Sequence, residues 1–253
     1  NPILIYDNRI TSGKWRLFKS KKIVIRGMAK KLTCALDDVG YALGVSVYAI
    51  TNLKYDPKLI LLLLNSKLID FYYKQRFISK HLASGYIGYN KGQLEQIPIK
   101  LPSIRQPFII LCDYMLFLNA TEERRNTEKE LIEFIDKQII DSLVYELYFK
   151  EKFYEDKLYD AKEEILLKLI EQYLKPIDYD KYSELYWKKQ LGEKLSNDEE
   201  KELERLDEEN LKVIKEVVEK IKSDKKIIEQ IEKIKSHPWV KIIEGREKWN
   251  KNF

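Results

Sequence analysis

The stretch KIVIRGMAKKLTCALDDVGYALGVSVYAIT, residues 22–51, decides the fold of the first part of the chain. KIVIRG (22–27) and LTCALD (32–37) are rich in apolar and β-branched residues, which favours β-strands, and the sequence DDVG that closes the second run is typical of a turn. YALGVSVYAIT (41–51) predicts a third strand, in which Gly44 marks a bulge or a close approach of backbone. Because short turns separate the three runs, we predict that they pair as an antiparallel meander.

A buried helix is predicted after these strands. Asp56 and Pro57 have the residue types of an N-cap and of a first helical position, and the helix then runs through KLILLLLNSKLIDFYYKQRF (58–77). Its first half is apolar on nearly every side, so we expect it to pack against the sheet. The next stretch, HLASGYIGYNKGQLEQIPIKLP (81–102), is rich in glycine and tyrosine and predicts a loop that closes on a short strand, IPIKLP (97–102).

The rest of the chain has the periodicity of helices, with apolar residues at three- and four-residue spacing. The clearest examples are FIILCDYMLFL (108–118), KELIEFIDKQIIDSLVYELYF (129–149) and EEILLKLIEQYL (163–174). These segments predict helices that pack on one another through their apolar faces.

A long amphipathic helix is predicted near the C-terminal end. Ser196 and Glu199 have the spacing of a capping box at its start, and Asp224 interrupts its apolar stripe, which predicts a break just before that residue. The sequence as a whole therefore predicts an α+β fold. An antiparallel-sheet domain with packed helices is expected over residues 1–120, and an all-α helical domain over residues 121–253.

Composition excludes several classes of protein. With 44% hydrophobic and 34% charged residues, the 253-residue chain is typical of a globular protein rather than a disordered one. Its longest apolar run, LILLLL (59–64), is much shorter than the roughly 20 residues that span a bilayer. Cys34 and Cys112 are isolated from each other and from both histidines, which argues against a disulfide framework and a zinc site. We therefore expect a cytoplasmic protein without a membrane partner, and the start at Asn1 indicates a piece of a longer chain.

The net charge of +5 is unevenly distributed along the chain. The first 110 residues carry 18 basic and 6 acidic side chains, a surplus of +12, whereas the remaining residues have a net charge of −7. A basic first part indicates a polyanionic partner, and the balanced charge of the second part favours solvated helices and protein contacts.

Three blocks of the sequence, in this order and spacing, carry a resemblance to a known family. They are IVIRGMAKKLTCALDDVGYALGVSVYAIT (23–51), LLNSKLIDFYYKQRF (63–77) and GYIGYNKGQLEQIPIKLP (85–102). Together they resemble the target-recognition domain at the C-terminal end of adenine-specific DNA methyltransferases and of combined restriction-modification enzymes of the TaqI and Eco57I type (type IIG). The resemblance covers about residues 15–118. IIDSLVYELYF (139–149) also resembles the helix that follows such domains, including those of type I specificity subunits.

The resemblance implies that the first part of the chain binds double-stranded DNA through the glycine-rich loop (81–102) and the basic segments around it. Glycines let the backbone approach a groove closely, while tyrosine, asparagine, lysine and glutamine side chains reach phosphates or base edges. The residue types alone leave a plainer interpretation open, in which glycine and asparagine form an ordinary turn and the lysines are only solvated. The residues that we expect to contact DNA are Arg26, Lys30, Lys31, Lys74, Arg76, Lys80, His81, Tyr86, Tyr89, Asn90, Lys91 and Gln93.

The sequence lacks the motifs with which this family methylates DNA. Such methyltransferases hold a flipped adenine with an NPPY-like tetrapeptide and S-adenosylmethionine with a glycine-rich loop after a strand. Neither motif occurs, since Asn1-Pro2 is not followed by Pro-Tyr. We therefore predict no catalytic residue, no metal site and no cofactor in this chain. For the full enzyme, the resemblance implies S-adenosylmethionine, with Mg as a second candidate.

The function that the resemblance implies is sequence-specific DNA recognition, as the specificity part of a restriction-modification enzyme or an adenine-N6 DNA methyltransferase in prokaryotic defence. The expected partners are double-stranded DNA and a methyltransferase or nuclease domain, in the same chain or in a separate subunit. Two alternatives stay open. One is a stand-alone specificity subunit that pairs with a separate methyltransferase chain, as in type I systems. The other is a non-catalytic protein-interaction module whose basic face neutralises acidic neighbours.

Overall fold

The computed structural model describes residues 12–77 and 85–247, which form two compact units. Within these ranges the first unit runs to Asn65 and continues over Ile69–Ile99, and the second takes in Ser66–Leu68 and the residues from Lys100 onward. The first unit combines helices with small antiparallel sheets, and the second is helical. The predicted fold class, α+β followed by all-α, is therefore confirmed.

The first unit alternates short strands and helices. In chain order they are α1 (Ser12–Lys19), β1 (Lys22–Arg26), β2 (Met28–Ala29), β3 (Cys34–Asp37), β4 (Val47–Ile50), α2 (Pro57–Asn65), α3 (Lys67–Arg76), β5 (Ile87–Gly88) and α4 (Lys91–Leu94). The first residues of α3 are grouped with the second unit, and the rest of that helix with the first.

The main sheet places β1 in the centre, with β3 on one side and β4 on the other, and both pairs are antiparallel. The predicted antiparallel pairing is confirmed, but the predicted meander is wrong, because the first strand rather than the second is central. β1 contributes Ile23 and Ile25, which are almost fully buried. The central position hides these side chains between two neighbouring strands and beneath α2, which contacts both β1 and β3.

β4 is shorter than the predicted third strand and begins only at Val47. Ser46 has a φ of +62°, in the left-handed region, where a strand does not continue. Gly44 lies outside the strand, and a Cβ atom added there would meet no atom within 4 Å. The predicted bulge or close approach at Gly44 is therefore wrong, and the close approach occurs at Gly27 instead.

A buried ion pair holds the turn after β3. Lys22 Nζ lies 2.5 Å from Asp37 Oδ2, and both side chains are almost fully buried. Asp37 Oδ1 also accepts a hydrogen bond of 2.8 Å from the amide of Gly40, where the φ of +97° favours glycine. Because a buried charge is costly without its partner, these bonds fix the predicted DDVG turn to the edge of the sheet.

The helix predicted over 58–77 is in fact two helices, α2 and α3, separated at Ser66. Asp56 Oδ1 accepts from the amide of Lys58 at 2.8 Å, so its predicted role as a cap is confirmed. At the other end, the side chain of Asn65 bonds to both backbone groups of Cys34. Its Oδ1 accepts from the amide at 3.0 Å and its Nδ2 donates to the carbonyl at 3.0 Å. These two bonds tie the end of α2 to β3, and the helix stops there.

Residues 97–102 form no β-strand, so the short strand predicted from IPIKLP is wrong. Pro98 and Pro102 have no N–H group to donate to a ladder. The amide of Lys100 donates instead to the hydroxyl of Tyr148 at 3.0 Å, within the second unit.

The second unit is a set of packed helices. In chain order they are α5 (Gln106–Leu118), α6 (Glu122–Thr127), α7 (Lys129–Phe134), a π-helical segment (Ile135–Ile140), α8 (Asp141–Glu155), α9 (Ile165–Glu171), α10 (Tyr179–Gln190), α11 (Asn197–Ser223), α12 (Lys225–Ser236) and α13 (Pro238–Ile243). No helix in the described ranges is both long and apolar enough to cross a membrane.

The predicted helices of this unit are present, with altered bounds. The helix predicted over 129–149 is interrupted by the π-helical segment, and the one predicted over 163–174 is limited to α9. The capping box is confirmed, because Ser196 Oγ accepts from the amide of Glu199 and the Glu199 carboxylate accepts from the amide of Ser196. The predicted break is confirmed too, since α11 ends at Ser223 and Asp224 caps α12.

A buried carboxylate organises the centre of the second unit. Glu146 has no exposed surface, and its Oε1 accepts hydrogen bonds from the Tyr159 hydroxyl at 2.6 Å and the Leu166 amide at 2.7 Å. Its Oε2 accepts from the amide of Leu167 at 3.0 Å. The carboxylate thereby satisfies amides at the start of α9 that have no partner within the helix. Burial outweighs these bonds and raises the pKa of Glu146 to about 7.

We expect Glu146 to make the protein less stable as the pH rises. A carboxyl with a raised pKa in the folded state favours folding below its ordinary pKa of 4.5, and this contribution is lost as the pH rises to about 7. The loss is on the order of 3 kcal/mol. E146Q removes the titration but weakens the bond to Leu167, so its free energy of unfolding should be lower than that of the wild type at pH 5. At pH 8 this difference should be smaller, because only the wild type has lost stability.

Urea unfolding of both proteins at pH 5 and pH 8 measures this difference. E171Q, at an exposed glutamate of α9, is the control and should follow the wild type at both values. If the difference between wild type and E146Q is the same at both pH values, Glu146 does not titrate between them.

Candidate nucleic-acid interface

Gly27 joins three segments of the first unit that are distant in sequence. Its amide donates to the carbonyl of Ser46 at 2.7 Å, and its carbonyl accepts from the amide of Tyr89 at 2.9 Å. A Cβ atom at Gly27 would lie only 2.6 Å from the Ser46 carbonyl oxygen, so this approach requires glycine. We call the surface formed by segments 27–31, 41–46 and 85–92 the junction surface.

A small second sheet fastens two of these segments together. β2 and β5 pair as antiparallel strands, with Met28 opposite Gly88 and Ala29 opposite Ile87. Ala29 and Ile87 are buried, while Met28 is 54% exposed and Gly88 has open space where a Cβ atom would be. One face of this sheet therefore packs against the core of the unit. The other face exposes the backbone at Gly88 and the flexible apolar side chain of Met28 to solvent.

Lys30 and Tyr86, both expected to contact DNA, lie next to each other on this surface. Lys30 Nζ is 5.7 Å from the centroid of the Tyr86 ring, and both side chains are exposed. Lys31 is exposed beside them, and Arg26 is exposed at the end of β1. The structure thus places segment 27–31 next to segment 85–92, although the two are more than 50 residues apart in the sequence.

Asp70 holds the turn that carries the two lysines. Its Oδ1 accepts from the amide of Leu32 at 2.9 Å, and its Oδ2 lies 2.6 Å from Lys74 Nζ. Lys74, half-buried, is therefore paired with Asp70, whereas Arg76 at the end of α3 is exposed. Lys80 and His81, for which the sequence also predicts a contact with DNA, lie outside the described residues.

The polar residues of segment 85–92 have partners within the unit. Asn90 Oδ1 accepts from the amide of Gln93 at 3.1 Å, which caps α4, and Asn90 Nδ2 donates to Gln93 Oε1 at 2.7 Å. The Tyr73 hydroxyl donates to the same Oε1 at 2.9 Å. Asn90 and Gln93 thus stabilise the shape of the loop, and their contact with DNA stays a prediction.

Tyr89 and Lys91 differ sharply in exposure. Tyr89 is only 3% exposed and its ring packs 4.7 Å from the ring of Tyr73. Its buried hydroxyl has no hydrogen-bond partner among the described residues, and burial holds its pKa well above the usual range. Lys91 is exposed, at 3.7 Å from Glu95 Oε1. In the folded unit Lys91 is therefore available to a ligand, whereas Tyr89 supports the loop from below.

Segment 41–46 is the part of the junction surface that the sequence did not indicate. Its sequence predicts a strand, but Val45 is 98% exposed and Tyr41 is 45% exposed. A small residue on each side of Val45, Gly44 and Ser46, was the signal in the sequence that could have identified a loop tip here.

The charge of the junction surface has one sign. Its three segments contain Lys30, Lys31 and Lys91 and no acidic residue. The described residues hold no group of three or more His, Cys, Asp and Glu side chains that could bind a metal ion. Their strand pairs are all antiparallel. The arrangement suits a large polyanion.

The importance of Gly27 can be tested by substitution. G27A places a methyl group against the Ser46 carbonyl, so the segment must shift, and we expect a loss of roughly 1–3 kcal/mol in the free energy of unfolding. G44A is the matched control, because a Cβ atom there meets nothing within 4 Å, and it should change stability by less than about 0.5 kcal/mol.

Urea unfolding gives the two free energies, and hydrogen exchange of the Gly27 and Tyr89 amides shows whether the junction opens. Faster exchange of both amides in G27A is expected. Equal stability and equal exchange in G27A and G44A would mean that the close approach does not exist in solution.

Comparison with known families agrees with the resemblance carried by the three sequence blocks. Residues 4–99 match the family model of the TaqI-like C-terminal specificity domain. The matched residues include all of the junction surface. No match was found among curated proteins or among solved structures.

Proposed function

We propose that the first unit recognises a specific sequence in double-stranded DNA, as the specificity part of a restriction-modification enzyme or an adenine-N6 DNA methyltransferase. The proposal takes the match of residues 4–99 to the TaqI-like specificity domain as its premise. The observation that carries it is the junction at Gly27, which brings together three segments that contain three lysines in all and no acidic residue.

The junction surface has two kinds of groups that suit two kinds of DNA contact. Exposed lysines on flexible stems neutralise phosphates, which positions a protein on DNA but carries no sequence information. Short, fixed groups such as the Tyr86 ring and the open backbone at Gly88 can approach base edges. In this proposal Lys30, Lys31, Lys91 and Arg26 grip the backbone, Arg76 adds to them from the end of α3, and Lys74 orients the turn through Asp70.

Catalysis in this proposal belongs to a methyltransferase or nuclease domain, in the same protein or in a separate subunit. The sequence has no NPPY-like tetrapeptide, and residues 12–77 and 85–247 form no parallel sheet for S-adenosylmethionine. When bound to that other domain, S-adenosylmethionine would supply the methyl group. The residues of this chain would select the site and hold the duplex.

The proposal is tested by selection from a library of randomised duplexes with the full 253-residue chain at low salt. We expect one short sequence to be enriched, because a surface that only neutralises charge would retain all sequences equally. A protein with Lys30, Lys31 and Lys91 changed to alanine should lose affinity for enriched and random duplexes alike. Recovery of an unbiased library from the wild-type chain would contradict sequence-specific recognition.

Salt dependence should report the phosphate contacts. The wild-type affinity for a random duplex is expected to fall steeply between 50 and 200 mM salt, because each neutralised phosphate releases counterions. K30A, K31A and K91A should each reduce the slope of log K against log salt by roughly 0.9. K201A, at an exposed lysine of α11 in the second unit, is the control and should leave the slope unchanged. If none of the three substitutions changes the slope, the DNA binds to another surface.

The chain alone should not methylate DNA. Incubation with S-adenosylmethionine and unmethylated duplex should give no N6-methyladenine by mass spectrometry, because the cofactor loop and the adenine-holding tetrapeptide are missing from the sequence. An unrelated, complete adenine methyltransferase is the positive control. Detectable N6-methyladenine from the pure chain would show that it contains a catalytic site.

A further inference from the structure

The tip of segment 41–46 exposes an apolar side chain. Val45 is 98% exposed, far more than the other large apolar side chains of the described residues. Eight of these side chains are exposed in all, and four of them lie on the junction surface: Met28, Tyr41, Val45 and Tyr86. Single exposed apolar residues are ordinary, but a group of four on one small basic surface indicates a surface that is covered in a complex.

The backbone holds Val45 in a defined position. The next residue, Ser46, has a φ of +62° and its carbonyl accepts from the amide of Gly27, so the tip is anchored directly beside Val45. On the other side Gly44 has no side chain and open space around it. The isopropyl group is therefore not covered by any of the described residues. Because valine has few rotamers, it loses little conformational entropy when a ligand covers it.

The charge around Val45 favours DNA as the group that covers it. Segment 27–31, which begins at Gly27, and segment 85–92, which is bonded to it, contribute three lysines and no acidic residue. The first 110 residues have a net charge of +12. A second apolar protein surface would place these lysines against protein without neutralising them. A polyanion that also has an apolar group can neutralise the lysines and cover the side chain of Val45.

Duplex DNA offers an apolar side chain two places to bind. One is the 5-methyl group of thymine, the apolar group that base pairs present in the major groove. The other is the space between two base pairs, which requires that they be unstacked. A short isopropyl group buries too little surface to offset unstacking, whereas a methyl contact in an intact groove needs no deformation.

We propose that Val45 is a specificity-determining residue that contacts the 5-methyl group of a thymine in the target site. This rests on the proposed function, since it assumes that the junction surface faces the major groove. Val45 selects thymine over cytosine, which lacks the methyl group, at one position of the site. The neighbouring lysines fix the register that makes this contact reproducible.

The test uses two randomised duplex libraries that differ only in this methyl group. One is amplified with dTTP and the other with dUTP, so the second has uracil wherever the first has thymine. The full chain is used as wild type, V45A, V45I and L191A. V45I keeps a β-branched apolar group at the tip, and L191A removes an exposed apolar side chain of the second unit as a control. Urea unfolding should show that all four proteins are equally stable, because both sites are solvent-exposed.

We expect wild type, V45I and L191A to enrich thymine at one position of the dTTP library. In the dUTP library the enrichment of uracil by the same proteins at this position should be about fourfold lower, which is the effect of one buried methyl group. V45A should show the reduced preference in both libraries. The methyl group would then matter only when the valine side chain is present, which shows that the two are in contact.

Each other result overturns a specific part of the proposal. If the wild type enriches the same site equally in both libraries, DNA recognition stands but the methyl contact is wrong. If V45A binds all duplexes less tightly while uracil has no effect in the wild type, Val45 acts as a wedge or a structural residue, which also rules out the contact. If the wild type enriches no sequence in either library, the proposed function itself fails, and this inference fails with it.

Discussion

The close approach of backbone at Gly27 is the constraint on which the candidate interface depends. Both polar groups of this residue are used, one by Ser46 and the other by Tyr89, and the space that a side chain would need is filled by a carbonyl oxygen. The three segments are thus held by main-chain bonds. Exposed side chains such as Lys30 and Val45 take no part in these bonds, so their replacement leaves the scaffold intact. A recognition surface built in this way separates the residues that shape it from the residues that contact its target.

Buried carboxylates do a related task inside both units. Asp37 accepts from the amide of Gly40, Asp70 from that of Leu32, and Glu146 from that of Leu166. Each of them satisfies backbone amides where a strand or a helix ends or begins, at positions that regular structure leaves without partners. The two in the first unit also pair with a lysine, which offsets the cost of burying their charge. Glu146 makes no such bond to a lysine within the described ranges, and burial raises its pKa.

Local composition was enough to predict the strands of the main sheet and most helices of the second unit, but neither their bounds nor the order of the strands. The apolar runs around Ile23 and Leu36 indicate strands wherever they pair, whereas the central position of β1 follows from its pairing with both β3 and β4, which local composition does not specify. The sequence could not identify which glycine makes the close approach, because Gly27 and Gly44 differ only in their tertiary neighbours. In the same way, Asn90 and Gln93 have the residue types of base-reading groups. Their partners in the folded unit are each other and Tyr73.

The bonds between Asn90, Gln93 and Tyr73 also bear on how such a surface achieves specificity. A loop whose polar groups are satisfied before binding keeps one shape, so little conformational entropy is lost when DNA is bound. Side chains with few rotamers that project from such a loop meet the same atoms of the groove each time, and a difference of one methyl group then changes affinity. Lysines lose more entropy but need no fixed geometry, because a phosphate attracts them over several ångströms. In the proposed function, rigid groups would contact the bases and flexible lysines the phosphates, so each residue type would be used where its loss of conformational entropy matters least.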